Sequence, residues 1–125
     1  MNSKELIMQY FEALKGGKTR DIIDRFISDE DEELKNHIEV FEAAFPGYQL
    51  VPEDMIAEGD KVAVRFTFVG LHKGKFMDFD PTGKEIRVPG MIVYQVHNDK
   101  IINHWMVVNM AEMMQQLQVE SAAAV

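Results

Sequence analysis

Near the C-terminal end of the chain, an apolar run carries one imidazole: Ile101-Ile102-Asn103-His104-Trp105-Met106-Val107-Val108. Histidine is the side chain whose ordinary titration range spans neutrality, so His104 is the residue here best suited to moving a proton. In a strand, Ile102, His104, Met106 and Val108 share one face, and Asn103, Trp105, Val107 and Asn109 share the other. His104 is therefore read either as a base held among apolar neighbours or as an imidazole tied to a backbone group or a carboxylate. Arg65 lies in another apolar run, where its guanidinium could steady an enolate or carboxylate, or else pair across strands with Glu53 or Glu85. Tyr94 offers a phenol as an oxyanion donor or a core ring. Asn109 offers an amide to a ligand carbonyl or a cap to a following helix. His72, in Gly70-Leu71-His72-Lys73-Gly74, is read as contacting ligand or fixing a turn. Trp105 is read chiefly as a core filler, and Met106 as part of a pliable apolar wall, with Met91. Met110, Met113 and Met114 stand at helical spacing and read as filler.

Metal chemistry is not expected from this pattern. The chain has no cysteine, and its four histidines are scattered, with no His-x-His or His-x3-His pair beside a carboxylate. His37 and His97 carry little signal. The block Asp29-Glu30-Asp31-Glu32-Glu33 reads as a solvated loop and first helical turn, where carboxylates suit the positive end of the helix dipole. Asp78 and Asp80 fall in a loop, so no pair of aspartates with an arginine is placed to activate water.

These side chains must be positioned by two kinds of element. Leu6, Ile7, Tyr10, Phe11 and Leu14 form an apolar stripe of helical period, with Asn2 and Glu5 spaced as a capping box and Gly16-Gly17 as a stop. A second helix runs from a Thr19 cap through Ile22, Ile23 and Phe26. A third starts near Ser28 or Asp29, carries Leu34, Ile38, Phe41 and Phe45, and ends at Pro46-Gly47. The period then changes to two. Tyr48–Ala57 and the alternating run Val62, Val64, Phe66, Phe68 read as a hairpin about Glu58-Gly59-Asp60. His72 to Gly83 reads as a loop. Ile86–Val88 and Met91–His97 make the next strand, with a bulge or bend at Pro89-Gly90. Ile101–Val108 is the last strand, and Met110–Leu117 a short helix.

The expected architecture is α+β: three N-terminal helices packed on a strongly bent antiparallel sheet. Both faces of the central strands are apolar, so the face away from the helices must meet a cavity or a second subunit. A chain of 125 residues with 46% hydrophobic and 27% charged residues makes one domain, expected over residues 1–119, with a frayed tail over 120–125. Net charge is −8, which opposes nucleic acid and anionic membranes as partners. No apolar run suits a membrane helix, and the N-terminus does not read as a signal peptide, so the expected compartment is the cytoplasm.

Three segments in order then carry a resemblance: Glu58-Gly59-Asp60-Lys61-Val62-Ala63-Val64-Arg65, Gly70-Leu71-His72-Lys73-Gly74-Lys75-Phe76 with Pro81-Thr82-Gly83-Lys84, and Lys100-Ile101-Ile102-Asn103-His104-Trp105 followed by Met113-Met114-Gln115-Gln116-Leu117. Together they resemble the SnoaL-like polyketide cyclases, of the nuclear-transport-factor-like superfamily of cone-shaped α+β barrels. The resemblance implies a half-barrel with a deep apolar pocket that takes a polyaromatic polyketide ester and closes a ring by aldol chemistry. It implies no metal, no organic cofactor, and assembly of copies through the sheet, a dimer being favoured.

The chain departs from that family where a base is needed. Met106 and Asn109 stand at positions commonly acidic, and Asn103 where glutamate is frequent. Neither a thioether nor an amide acts as a general base. His104 thus becomes the candidate catalytic residue, with Arg65, His72, Tyr94, Trp105, Met106 and Asn109 as candidate ligand-binding residues. The function expected is binding of a small hydrophobic, polyketide-like carbonyl compound, with a cofactor-free cyclase or isomerase as the enzymatic form. The competing readings are a non-catalytic binder that has lost the carboxylates and an accessory protein whose cone is filled by its own side chains.

Overall fold

The computed structural model describes residues 2–123, with side chains to Leu117. Helix α1 (Ser3–Lys15) begins where the Asn2 side-chain oxygen accepts from the Glu5 N–H at 2.8 Å. The Glu5 carboxylate accepts in return from the Asn2 side-chain amide rather than its backbone, a variant of the expected capping box. Helix α2 (Arg20–Phe26) is capped by Thr19, as the spacing predicts. Ser28 then caps a single 3₁₀ turn, Asp29–Asp31, and Asp31 caps α3 (Glu32–Ala44) by accepting from the Leu34 N–H.

Four antiparallel strands follow in spatial order of sequence: β1 (Gln49–Glu58), β2 (Lys61–Leu71), β3 (Glu85–His97) and β4 (Lys100–Val108). The alternation in β2 sends Val62, Val64, Phe66 and Phe68 inward, where Leu6, Ile7, Tyr10 and Phe11 of α1 and Ile38 of α3 meet them. The result is an α+β layer of helices inside a curled open sheet. Helix α4 (Met110–Ala123) runs past the expected end at Leu117. The part of the expected tail beyond Ala123 lies outside the described residues. Among the described residues no helix is long and apolar enough to cross a membrane.

Two irregularities lie elsewhere than expected. Pairing is unbroken at Pro89-Gly90, where Thr67 faces Pro89 and Phe66 faces Gly90. Gly90 is needed for another reason: a Cβ there would stand 2.5 Å from Phe66 Cζ. The bulges fall at Pro52/Asp54 in β1 and opposite Gln95/Val96, where β4 has Ile102 in excess. That extra residue makes Ile101, not Ile102, the inward partner of His104; Ile101 is fully buried.

The turn Asp29–Asp31 is drawn onto the β4 edge. The Ser28 N–H donates to the Ile101 carbonyl at 2.8 Å, and Lys100 Nζ donates to the Asp24 carbonyl. Lys35, buried on α3, donates to Asp24 at 3.0 Å and Asp29 at 2.7 Å. The hydrogen bond from Lys35 holds both carboxyls below their usual range, and the bond to Asp29 raises the ammonium above its own. This cluster locks α2, the 3₁₀ turn and α3 together, and so fixes where Asp31 stands.

Candidate active site

Asp31 is the residue the acidic block concealed. It is not solvated: its side chain, like that of His104, is 4% exposed, and the two meet at 2.7 Å between Oδ2 and Nδ1. Its other oxygen serves the α3 cap. A carboxylate has no proton to give, so His104 Nδ1–H is the donor and Nε2 carries the free lone pair. Fixing tautomer and ring angle in this way prepares an imidazole for acid–base work.

Against His104, edge-on, packs His37 of α3, with ring centroids 5.7 Å apart and planes at 76°. His37 Nε2 lies 3.7 Å from Glu33 Oε1, one helical turn earlier, and its Nδ1 is buried without a partner among the described residues. His37 also lines a cavity between helices and sheet, whose walls include Phe41 of α3, Phe66 and Phe68 of β2, Met106 and Val108 of β4, and Met113 of α4. His104 itself is not on that wall; His37 links it to the space.

The polar end of the cavity is phenolic. Tyr10, Tyr48 and Tyr94 all line it and are all buried. Tyr10 and Tyr94 meet edge to face at 5.8 Å. Burial raises all three phenols, with neighbouring phenols and Asp31 adding to it at Tyr10 and Tyr94 and Glu42 at Tyr48, so each stays an O–H donor. All three side chains line the cavity, where a hydroxyl can donate to a guest. The enclosed volume is about 50 Å³. A cavity that holds benzene is roughly three times larger, about 150 Å³.

The other sequence candidates separate. Tyr94 and Met106 line the cavity. Arg65 is exposed, and its Nε donates to Asp54 at 2.7 Å, not to Glu53 or Glu85, because the β1 bulge brings Asp54 opposite it. Glu53 accepts instead from Thr67. His72 is buried beside Phe45 and binds the loop: its Nδ1 accepts from the Thr82 N–H, and burial lowers its pKa. Trp105 does not fill the core; it is 49% exposed on the sheet face opposite the cavity, and Met91 is exposed on the same face. Asn109 caps α4, accepting from the Glu112 N–H at 3.0 Å.

A family model, SnoaL-like polyketide cyclase, matches residues 19–117. The chain belongs to that family. Three solved structures show the same SnoaL-like fold. AclR from Streptomyces galilaeus is 26% identical, covering 98% of this chain and 89% of its own, with a TM-score of 0.80. IdmH from Streptomyces antibioticus is 21% identical over 94% of this chain and 99% of its own, at 0.79. A SnoaL-like polyketide cyclase from Agrobacterium tumefaciens is 19% identical over 94% and 99%, at 0.78. No functionally curated protein matches the sequence. Family membership explains the cone, and not the dyad: this SnoaL-like chain has Met106 on the cavity wall and Asn109 in a helix cap, where the resemblance implied carboxylates.

Proposed function

We propose that this SnoaL-like protein binds a small hydrophobic carbonyl compound in the cavity and enolises it by acid–base chemistry, as a cofactor-free cyclase or isomerase does. The observation that carries this reading is the buried Asp31–His104 pair, which His37 links to a cavity lined by three phenols. A proton leaves the carbon alpha to the carbonyl and is taken by the imidazole system; Asp31 steadies the imidazolium so formed. The developing enolate oxygen receives O–H from Tyr10 or Tyr94, a preorganised donor set in apolar surroundings. In isomerisation the proton is returned to carbon; in ring closure the enolate carbon attacks a second carbonyl carbon of the same ligand, and the alkoxide formed as that C=O π bond breaks takes the proton. The enclosed volume is about a third of one that holds benzene, so the ligand proposed is a carbonyl compound of a few heavy atoms and not a polyaromatic ester.

A second reading, binding without turnover, is favoured by Met106 and Asn109 at the positions where relatives are commonly acidic. Proton NMR in D₂O with acetone and butanone separates the two. Enolisation exchanges the alpha protons of a bound ketone, and His104→Ala and Tyr94→Phe slow that exchange, the former by about 10²–10⁴-fold. Binding without exchange leaves the second reading, and no binding of any such compound overturns both.

A further inference from the structure

We infer that Glu33, His37 and His104 form a binding site for a divalent transition-metal ion. Each offers one ligand atom, and the three atoms lie within 4.8 Å of one another. Glu33 and His37 are an i, i+4 pair on one face of α3, and β4 brings His104 beneath them. Two imidazoles with one carboxylate are the donors of open zinc and non-haem iron sites, and they do not suit calcium or magnesium, which take oxygen.

The supporting groups are also in place. A metal-bound histidine normally gives its second ring N–H to a carboxylate, which turns the other nitrogen's lone pair toward the ion. Asp31 does this for His104 at 2.7 Å, and is itself held by the Leu34 N–H. Metal–nitrogen bonds of about 2.0–2.1 Å bring tetrahedral donors to about 3.4 Å from one another. Glu33 Oε1 is already 3.7 Å from His37 Nε2, and the exposure of Glu33 lets its carboxylate adjust and gives the ion a path from solvent. The surrounding block Asp29–Glu33 and the net charge of −8 attract a cation.

This inference stands apart from the enolisation reading. The two are alternative states of one nitrogen: an ion on His104 removes the base, so a loaded protein is silent in proton exchange.

The test is Co²⁺ titration of the untagged full-length chain, read by visible d–d absorption and by displacement with Zn²⁺. The expected result is one ion per chain, binding weakened at least tenfold by Glu33→Gln and by His37→Gln, and about 10–100-fold by Asp31→Asn. Glu33→Gln and His37→Gln change exposed or half-exposed side chains and keep the circular dichroism of the parent, so a misfolded His104 variant is not needed. Absence of binding at millimolar Co²⁺, or binding unchanged in both variants, overturns the inference. Because the readout is the ion itself, it decides the matter whether or not any ketone is turned over.

Discussion

Asp31 does two jobs with two oxygens, and the jobs come apart under substitution. Oδ1 caps α3 and Oδ2 holds His104. Asparagine caps a helix as well as aspartate does, but it cannot stabilise an imidazolium. Asp31→Asn is therefore expected to keep α3 and to slow ketone proton exchange, whereas Asp31→Ala also costs about 1 kcal/mol of cap in urea denaturation. Equal exchange rates in Asp31→Asn and the parent would remove the dyad from the mechanism. This residue was poorly legible in the sequence because five neighbouring carboxylates look alike. The sequence places the start of the third helix near Ser28 or Asp29; the intervening 3₁₀ turn moves the cap to Asp31, and the pull of Ser28 onto β4 turns that residue inward. His37 was missed for a similar reason: one imidazole on a helix carries no signal until the fold puts His104 against it. His72 shows the opposite outcome, a family-like position whose ring fixes a loop. Its pKa is lowered in the folded chain, so below the unfolded value near 6.5 the unfolded state binds the extra proton. Stability from this group is thus full above about pH 6.5 and is lost as pH falls through that range toward the folded pKa. The urea midpoint should drop between pH 7.5 and 5.5 in the parent and drop less in His72→Gln; identical slopes would refute this.

At the scale of elements, period and caps were legible because they are local. The α1 stripe, the Thr19 cap and the β2 alternation each depend on a few consecutive residues, and all appear as read. Register was not legible, because a bulge depends on the partner strand. Pro89-Gly90 looked like an interruption, yet β3 passes through it in step with β2. What Gly90 provides is room for a ring: Phe66, a cavity wall, lies where a Cβ would go, with the Val107 carbonyl 3.0 Å away on the other side. Gly90→Ala must move either Phe66 or the β3–β4 ladder. Such overpacking typically costs about 1–3 kcal/mol, measurable in urea, and shifts the Phe66 ring protons in NMR spectra. A variant as stable as the parent with an unmoved Phe66 would show that the strand relaxes freely. The excess Ile102 in β4 has the larger consequence for function. It alone sets His104 and Ile101 on the inner face together, and removing it would invert every side chain between it and one end of the strand.

For the whole molecule, the sheet has a second face that the helices leave bare. Trp105 is 49% exposed, Val107 74% and Met91 53%. They are contiguous rather than scattered, since Met91 pairs with Val107 and Val93 with Trp105 across β3 and β4. Single exposed apolar residues are ordinary, but a contiguous patch bearing a tryptophan marks a contact surface. Polar neighbours rim it: Arg65 with Asp54 on one side, Gln95 opposite Asn103 along the strands. We propose that two copies join through this face as an isologous dimer, in which each Trp105 is buried by its mate. The cavity lies on the opposite side of the sheet, so dimerisation and ligand entry do not compete. Sedimentation and light scattering should give twice the chain mass at micromolar concentration. Trp105→Lys with Val107→Lys should give the single mass, with ketone binding intact and the intrinsic tryptophan signal lost. A parent that is monomeric at high concentration, or a double lysine variant that remains dimeric, would place the contact elsewhere and leave Trp105 to solvent.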